Sequence, residues 1–484
     1  MTATATPHAL PPSSRSIPVW LGIAAASIPM FMATLDNLVM TSALPVIQQD
    51  LNASVGQLQW FLNAYTLSFA TFMLTAATLG DRWGRRSVFL GGIAIFTAAS
   101  VASALAASPA MLIAARAVQG MGAAAIMPLS LTLLAAVVPV RKRAMAIGIW
   151  GGVSGLGVAL GPVVGGAAVD GISWQAIFWI NVPVALVAMP LAYIALKESA
   201  GRVQPLDLLG VLLSGSGVFL LVWAVVHGND DGWASTTVLA SFLGSAVLLA
   251  AFLARAARIR YSVLPLALFR SRSFAVANVI GITFSLGMFG AVFLLAQYLQ
   301  IVMRYTPFEA GLRTLPWTAA PMVVAPIAGL LAERVGLRGL LISGLSLQSA
   351  SLVWMALILG PDTGYRSIVP ALLMAGVGMG LTFAPSATAV LRDMNDDDHA
   401  TASSANSTVR EVGIALGIAV LTAVFLGNGG SLTPTGYTDA LAPALLVGAG
   451  VVAIGILAAL FMPGRTAAVA QTVTVDREMQ STME

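Results

Sequence analysis

The 484-residue chain contains no cysteine, only three histidines and only 9% charged residues. Without cysteine it can form no disulfide and no thiolate metal site, and its compartment stays open on redox grounds. Charged residues make up about a quarter of a typical soluble domain, so this chain has too few to cover a soluble globule of its size. The low charge excludes an ordinary soluble protein.

Apolar residues are what the chain has in abundance. They make up 58% of it, and the mean hydropathy is +0.89. A helix crosses a membrane with about 20 mostly apolar residues, and about fourteen runs of that kind are present. The runs are 18–45, 58–80, 87–107, 109–137, 144–168, 175–196, 208–226, 236–255, 274–303, 312–332, 338–359, 367–390, 402–426 and 441–462. Long continuous runs argue against the alternating strands of a barrel, so we predict an all-α polytopic membrane protein.

Basic residues are distributed unevenly between alternate loops. If the N-terminus is cytoplasmic, the loops on that side hold Arg82, Arg85, Arg86, Arg141, Lys142, Arg143, Arg255, Arg258, Arg260, Arg270, Arg272, Arg334 and Arg338. The opposite loops hold only Arg304, Arg313 and Arg366. This asymmetry predicts that both termini are cytoplasmic. Arg and Ala are abundant and Lys is rare, which is typical of a GC-rich bacterial genome, so we predict a bacterial cell membrane. The asymmetry of the loops also accounts for the net charge of +4, which therefore does not indicate nucleic acid binding.

Two similar stretches divide the chain into repeats. AATLGDRWGRR follows the second apolar run and IAGLLAERVGLR follows the tenth, with Asp81 and Glu333 in equivalent positions 252 residues apart. Eight helices fit between them, which predicts two parallel six-helix bundles joined by two extra helices. The predicted units are a tail (1–17), an N-terminal bundle (18–196), a two-helix linker (197–258), a C-terminal bundle (259–464) and a second tail (465–484).

Seven motifs in this order resemble those of the major facilitator superfamily, in particular its fourteen-helix drug:proton antiporters. They are LDNLVMTSALP (35–45), TLGDRWGRR (78–86), RAVQGMGAA (116–124), GLGVALGPVVGG (155–166), WQAIFWINVP (174–183), YTPFEAGLRTLP (305–316) and NSTVREVGIALG (406–417). The resemblance covers nearly the whole chain. It implies alternating access, drug export in exchange for protons, no cofactor, and function as a monomer.

Two charges lie deep within apolar runs, Asp36 in the first and Arg116 in the fourth. An unpaired guanidinium in hydrocarbon costs at least about 2.5–3.5 kcal/mol, so Arg116 needs a partner, and Asp36 is a candidate in the same half. A carboxylate at this depth is costly when ionised and cheaper when protonated. Asp36 is therefore interpreted as a proton-coupling site, or alternatively as a permanently ionised structural partner of Arg116. The first interpretation is favoured, because ionisable residues inside membranes usually mark pathways.

A second group of buried charges lies in the thirteenth run. Asn406 and Arg410 are one helical turn apart, and Glu411 is rotated by about 100° from Arg410. We predict that Glu411 is a second proton-coupling acid and that Arg410 is a buried charge partner.

The fifth run carries glycines at every fourth position, Gly157, Gly161 and Gly165, followed by Gly166. Such a bare stripe lets another helix approach closely, and Pro162 removes one helical hydrogen bond. Simple tight packing explains the stripe. The resemblance implies, in addition, that this antiporter motif lies between the two halves and limits proton leak.

The repeated loop motif supplies a candidate gate. Its residues are Asp81, Arg82, Gly84, Arg85 and Arg86, with Glu333 and Arg334 in the second half. Asp81 could sit against the N-terminus of a neighbouring helix and latch the outward-facing state. The alternative is that these residues are anchor charges at the membrane surface. Their repetition in both halves favours the latch.

The sequence predicts a proton-coupled exporter of hydrophobic drugs, neutral or monovalent cationic, with adaptable contacts from Met30, Phe31, Met32, Met40 and Trp60 unless these only pack. The alternatives are a dedicated exporter or facilitator of one endogenous metabolite, or a nutrient uptake transporter. No phosphate loop ending in Gly-Lys-Ser/Thr is present, which excludes ATP hydrolysis by this chain. The histidines, His8, His227 and His399, are placed in a tail or loops, so neither an intramembrane enzyme nor a metal site is predicted.

Overall fold

The computed structural model describes residues 18–200, 205–259, 262, 264–394 and 399–464, and these residues form sixteen α-helices. The helices are α1 (Val19–Leu51), α2 (Val55–Trp83), α3 (Arg85–Ala104), α4 (Pro109–Val137), α5 (Arg143–Gly171), α6 (Ala176–Trp179), α7 (Asn181–Ala195), α8 (Leu208–Asp231), α9 (Thr236–Ala256), α10 (Arg272–Ile301), α11 (Pro307–Thr318), α12 (Ala320–Val335), α13 (Leu337–Ile358), α14 (Tyr365–Leu391), α15 (His399–Gly427) and α16 (Pro434–Ala459). The predicted tails, 1–17 and 465–484, and Arg260 lie outside the described residues.

Thirteen segments of the described chain are long and apolar enough to cross a membrane, with α6–α7 and α11–α12 each counted as one span. The remaining predicted span, α2, has 29 residues, but polar side chains such as Gln59 and Asn63 lower its hydropathy. The prediction of an all-α polytopic membrane protein is confirmed.

Corresponding helices of the two halves make corresponding contacts. In the first half α1 packs against α5, α3 against α4 and α1 against α7. In the second half α10 packs against α15, α13 against α14 and α10 against α16. The extra pair, α8 and α9, packs together, and α8 also touches α2 and α15. The predicted fold of two six-helix bundles with two linking helices is therefore confirmed, while the residue boundaries of the units stay a prediction.

Two predicted spans are interrupted helices. The sixth breaks at Ile180, between α6 and α7. The tenth breaks at Ala319, where Pro321 follows and cannot donate a backbone hydrogen bond, and it begins at Pro307 instead of near 312. Helix α11 begins with a capping box between Thr306 and Glu309. This pattern is visible in the sequence as T-x-x-E.

One loop assignment is wrong. Helix α8 continues to Asp231, so His227 lies in its last turns and not in a loop. Its ring stacks on Trp223 with 4.1 Å between the ring centroids. Helical backbone hydrogen bonds and this aromatic contact continue α8 beyond the apolar run 208–226.

The two halves touch at one end of the molecule and diverge toward the other. We call the end where α2 begins and α5 finishes the outer end, and the opposite end the inner end. Near the outer end, a Cβ atom at Gly166 would overlap the carbonyl oxygen of Pro307, and one at Gly311 would overlap that of Pro162. Toward the inner end, a Cβ at Gly148 would meet nothing within 4 Å. The interface between α5 and the second half is thus closed outside and open inside.

The close approach at Gly166 gives a matched test on a single helix. We expect Gly166→Ala to destabilise the outer-closed arrangement by about 1–3 kcal/mol, as overpacking usually does. Gly148→Ala has free space and should be neutral or stabilising by up to about 1 kcal/mol. Thermal unfolding of both purified variants measures the difference, and equal melting temperatures would contradict the closed interface.

Candidate functional site: a central cavity and two buried charge clusters

Asp36 lies at the centre of a polar network in the first half. Arg116 Nη1 lies 2.5 Å from Asp36 Oδ2, so the structure brings the two predicted charges together. Gln119 and Asn181 each donate a side-chain amide hydrogen bond of 2.8 Å to Asp36 Oδ1. With the Asp36 residue only 3% exposed, these three donors replace the water that the carboxylate has lost.

Arg116 is fully buried and has further partners of its own. Its Nε donates to the carbonyl oxygen of Phe61 at 3.1 Å, and its Nη1 donates to Gln119 Oε1 at 2.8 Å. The guanidinium carbon lies 4.3 Å from the ring centroid of Tyr65, within the range of a cation–π contact. The charge is thereby compensated within the first half.

Local sequence explains how this network forms. Arg116 and Gln119 are one turn apart on α4 and so share a face. Gly120 lets the backbone of α2 come close, since a Cβ there would overlap the carbonyl oxygen of Tyr65. Asn181 directly follows the helix break at Ile180. Sequence reasoning did not assign Asn181 to the site, although a buried asparagine within the apolar motif WQAIFWINVP was a usable signal.

A cavity of about 500 Å³ lies between the two halves. Its walls come from α1, α2, α4 and α5 in the first half and from α10, α11, α12, α14 and α15 in the second. Soft and aromatic side chains predominate among the larger wall residues, namely Tyr65, Phe69, Met127, Phe289, Met322, Met379 and Phe383. Volumes of 300–1,000 Å³ are typical of sites for drug-sized ligands.

Glu411 and Arg410 are the acid and the base among the described residues that line this cavity. Glu411 is 6% exposed, and its Oε2 has no hydrogen-bond partner among the described residues. The Arg410 guanidinium lies 4.4 Å from the ring centroid of Phe383. Asn406, one turn away, donates instead to Asn278 on α10. Unlike Asp36, Glu411 keeps an oxygen available to a ligand or a proton.

The structure separates Asp36 from the cavity. Its neighbours Thr34 and Asn37 line the cavity, whereas Asp36 does not. Tyr65 contacts Arg116 and also lines the cavity, so it lies between the network and the open space. The expected contacts are absent from the described wall. Met32, Met40 and Trp60 belong to apolar clusters, Phe31 packs against one of them, and Met30 is buried.

The glycines of the fifth-helix motif face two different partners. Gly157, Gly161 and Gly165 lie against α1, near residues 31–39. Gly166 lies against the first turn of α11, in the other half. The carbonyl oxygen of Pro162, which lies between them in sequence, accepts a hydrogen bond of 2.9 Å from Ser42 Oγ. The motif therefore packs within its own half and also against the other one.

In the loop motif, Asp81 pairs with Arg85 at 2.7 Å and does not cap a helix. The acid at the N-terminus of α3 is Glu198, which accepts the backbone N–H groups of Arg86 and Ser87 at 2.9 and 3.1 Å. Gly84, with a φ of +101°, permits this turn, and a Cβ there would clash with the Glu198 carboxylate.

Arg86 ties the same loop to the end of the first bundle. It donates to the carbonyl oxygens of Tyr193 and Leu196 at 3.1 and 3.3 Å. Arg82 is exposed. In the second half, Glu333 and Arg334 fall in the last turn of α12. The loop is thus anchored to the chain that leads out of the first bundle.

Two similar helical halves around a cavity that opens toward one end have the architecture of a membrane transporter. The chain belongs to the Major Facilitator Superfamily, whose family model matches residues 26–418. It is a transporter and not an enzyme, as predicted.

Named relatives are export and resistance proteins. The Tetracenomycin C resistance and export protein of Streptomyces glaucescens is 34% identical over 88% of this chain and 79% of its own. The Multidrug resistance protein Stp of Mycobacterium tuberculosis is 35% identical over 84% of this chain and 75% of its own. These relatives support the prediction of drug efflux.

Solved structures show the same fold. A bacterial homologue of the human lysosomal transporter Spinster, in an inward-facing and unoccupied conformation, superposes with a TM-score of 0.67 at 17% identity. The match covers 93% of this chain and 98% of that protein.

Breaking the buried ion pair from one side should destabilise the first half. We expect Asp36→Asn to cost about 3–5 kcal/mol, because Arg116 would be left buried without its counter-charge. Adding Arg116→Gln should recover most of this loss. Thermal unfolding and folded yield of the single and double variants measure the effect. A single variant that melts like the wild type would contradict a structural role for the pair.

Glu198 gives a prediction of pH dependence. Partial burial opposes its ionisation, but the hydrogen bonds from Ser87, Arg86 and Ser199 outweigh it and lower the pKa of Glu198 below its usual value near 4.5. Its stabilising contribution is therefore full above that usual value and is lost as the pH falls through the lowered one.

We expect Glu198→Gln to lower stability at neutral pH by about 0.5–1 kcal/mol, in the range for loss of a helix cap. The difference from the wild type should shrink in acid. Melting curves of both proteins across that pH range check this. A difference that is constant with pH would show that the Glu198 charge has no part in the anchor.

Proposed function

We propose that this transporter exports small hydrophobic compounds in exchange for protons, with Glu411 as the acid that binds the proton. One observation carries the proposal: Glu411 is buried, lines the central cavity and has a carboxylate oxygen without a hydrogen-bond partner in the described structure. An ionised carboxylate in such a place needs a proton, a cation or new donors to offset its lost hydration. Competition between proton and substrate for one site gives exchange.

Asp36 has a different position in this proposal. Its carboxylate is already engaged by Arg116, Gln119 and Asn181, which supports the alternative of a structural ion pair. Its contribution to coupling would pass through Arg116 and Tyr65, the residue that touches both the network and the cavity. The coupling role of Asp36 itself stays a prediction.

The walls of the cavity suggest the class of cargo. Methionine and aromatic side chains adapt to varied apolar shapes. A single acid beside a single base suits neutral or monovalent cationic compounds better than divalent ions. The relatives named for tetracenomycin C export and for multidrug resistance support a drug-like or antibiotic-like substrate.

The open inner end supports alternating access. We assign it to the cytoplasm, because the loops at that end carry most of the basic residues. Substrate would then enter the cavity from the cytoplasm while the outer end is closed by α5 and α11. In this state the latch predicted for Asp81 is released, in agreement with its local pairing to Arg85. Transport by a monomer in the cell membrane belongs to the same proposal.

The driving force is sufficient for export. Each proton that crosses inward gains about 2.3 kcal/mol per 100 mV of membrane potential, in addition to any pH gradient. For a neutral compound, one proton per cycle would therefore support a concentration ratio of more than tenfold at that potential, since about 1.4 kcal/mol corresponds to a factor of ten. Exchange of one proton for a monovalent cation moves no net charge and would be driven by the pH gradient alone.

The test is substrate-induced proton efflux from energised inverted membrane vesicles, followed with a pH-sensitive dye. Ethidium, a lipophilic monovalent cation, is the first probe in a panel of antibiotics. We expect the wild type to release protons when substrate is added and Glu411→Gln to respond at least tenfold more slowly. Asp362→Asn, which neutralises an exposed turn residue, is the matched control and should behave as the wild type.

Other outcomes reassign the function. A full response in Glu411→Gln, together with a loss in equally folded Asp36→Asn, would move the coupling to Asp36. If no compound of the panel elicits proton release from the wild type, drug:proton exchange is wrong and a dedicated metabolite exporter becomes the better interpretation.

A further inference from the structure

Three polar side chains of α2, Gln59, Asn63 and Thr66, remain without a function in the site described above. They follow one another at spacings of four and three residues and therefore lie on one face of the helix. Each is fully buried. Both amides and the Thr66 hydroxyl lack a hydrogen-bond partner among the described residues.

Such a row is costly in a membrane protein. A buried polar group without a partner loses its hydration and gains nothing in return. Apolar residues of similar size would pack there at lower cost, and α2 is the predicted span that falls short of the apolarity of the others. Packing in the outer-closed arrangement therefore does not explain why Gln59, Asn63 and Thr66 are polar.

Helix α15, which packs against α2, carries a similar row. Thr408, Glu411 and Thr422 lie on one face of α15, within about 60° of each other. Each has a buried side-chain oxygen without a partner in the described structure. The proposed proton site Glu411 is thus one member of a polar face that continues toward the outer end at Thr422.

Helices α2 and α15 run side by side from the outer end to the level of the cavity. The last turns of α8 reach both the start of α2, near Gly56, and the end of α15, near Gly427. Between these points, Trp60, Ala64 and Leu67 of α2 share one apolar cluster with Ala415, Ala419 and Ala423 of α15. At the inner end of this shared stretch, Tyr65 of α2 and Glu411 of α15 both line the cavity.

The row on α2 spans this interval. Gln59 lies one turn from the start of the helix, and Thr66 follows the cavity residue Tyr65. At 1.5 Å per residue, the three side chains cover about 10 Å along the helix. This is a suitable length to join the outer end to the level of the cavity.

We propose that Gln59, Asn63 and Thr66 form the wall of a water-filled route along the α2–α15 interface, by which protons from the outer end reach Glu411. The proton passes from water at the outer end to a carboxylate oxygen of Glu411. Neutral amides and a hydroxyl can hold a chain of water without trapping the charge. The route fills when α2 and α15 separate and is pinched shut when they pack together.

The second interface at the outer end has a different character. Between α5 and α11 the backbones touch at Gly166 and Gly311, which leaves no room for water. Proton entry is accordingly assigned to the α2–α15 interface and not to the α5–α11 interface. This inference rests on the proposed proton coupling, but the route itself can be tested without it.

The absence of cysteine makes single-cysteine labelling direct. Asn63→Cys replaces a member of the row, and Ala64→Cys, the matched control, lies at the same depth in the apolar cluster. A charged methanethiosulfonate reagent added to intact cells reacts only with a thiolate in water. We expect Asn63→Cys to react at least tenfold faster than Ala64→Cys. Equal rates, or no reaction at Asn63→Cys, would overturn the route.

The proton role is tested with apolar variants of similar shape. Thr66→Val combined with Asn63→Leu should slow ethidium-induced proton efflux at least tenfold, while the affinity for ethidium stays unchanged. Ala64→Val is the control. A wild-type rate in the double variant would overturn the role of the row in proton entry. If ethidium gives no efflux from the wild type, the comparison is made with a compound of the panel that does. If no compound of the panel does, the proposed function has failed, and the labelling result still decides whether the route holds water.

Discussion

A guanidinium in the middle of a membrane must be compensated, and the arrangement of the first half follows from compensating Arg116. Its counter-charge comes from α1, its further hydrogen-bond acceptors come from α2 and α4, and its aromatic contact comes from Tyr65 of α2. Asn181 brings α7 to the same carboxylate. Four helices are thus fixed around one ion pair, and a close backbone approach at Gly120 makes the geometry possible.

In the second half of the described structure, the buried acid and base are not paired through hydrogen bonds as Asp36 and Arg116 are. Arg410 rests on an aromatic ring and Glu411 keeps an unengaged oxygen, with both facing the cavity. Both oxygens of the Asp36 carboxylate accept hydrogen bonds, whereas an oxygen without a partner among the described residues, as in Glu411, is sensitive to whatever ligand arrives. In the proposed mechanism, the first half would supply a stable wall around Asp36, and the second half would supply Glu411 as the group that responds to a proton or a ligand.

Much of the fold follows from the sequence, because apolar runs and repeated loops are local signals. Helix breaks at Ile180 and Ala319 were missed, since mean hydropathy averages over them. The convergence of Gln119 and Asn181 on Asp36 could not be derived, because it depends on three helices distant in sequence. Glu198 was missed for the same reason: its partners at the start of α3 lie more than 100 residues earlier. The motifs placed Glu411 correctly within a helix. The sequence does not show that Glu411 lines the cavity while Asp36 does not.

Alternating access requires contacts that form in one state and break in the other. The two interfaces at the outer end, α5–α11 and α2–α15, differ in how they do this. Glycine contacts between α5 and α11 gain from dispersion over short distances, which disappears when the backbones part. The α2–α15 interface contains buried polar groups without hydrogen-bond partners among the described residues, and in the proposed route the cost of burying them would be recovered when water enters. The first interface favours the closed state and the second favours the open one. In the proposed mechanism, this opposition would keep the two states close in free energy, so that the binding of one proton could shift their populations.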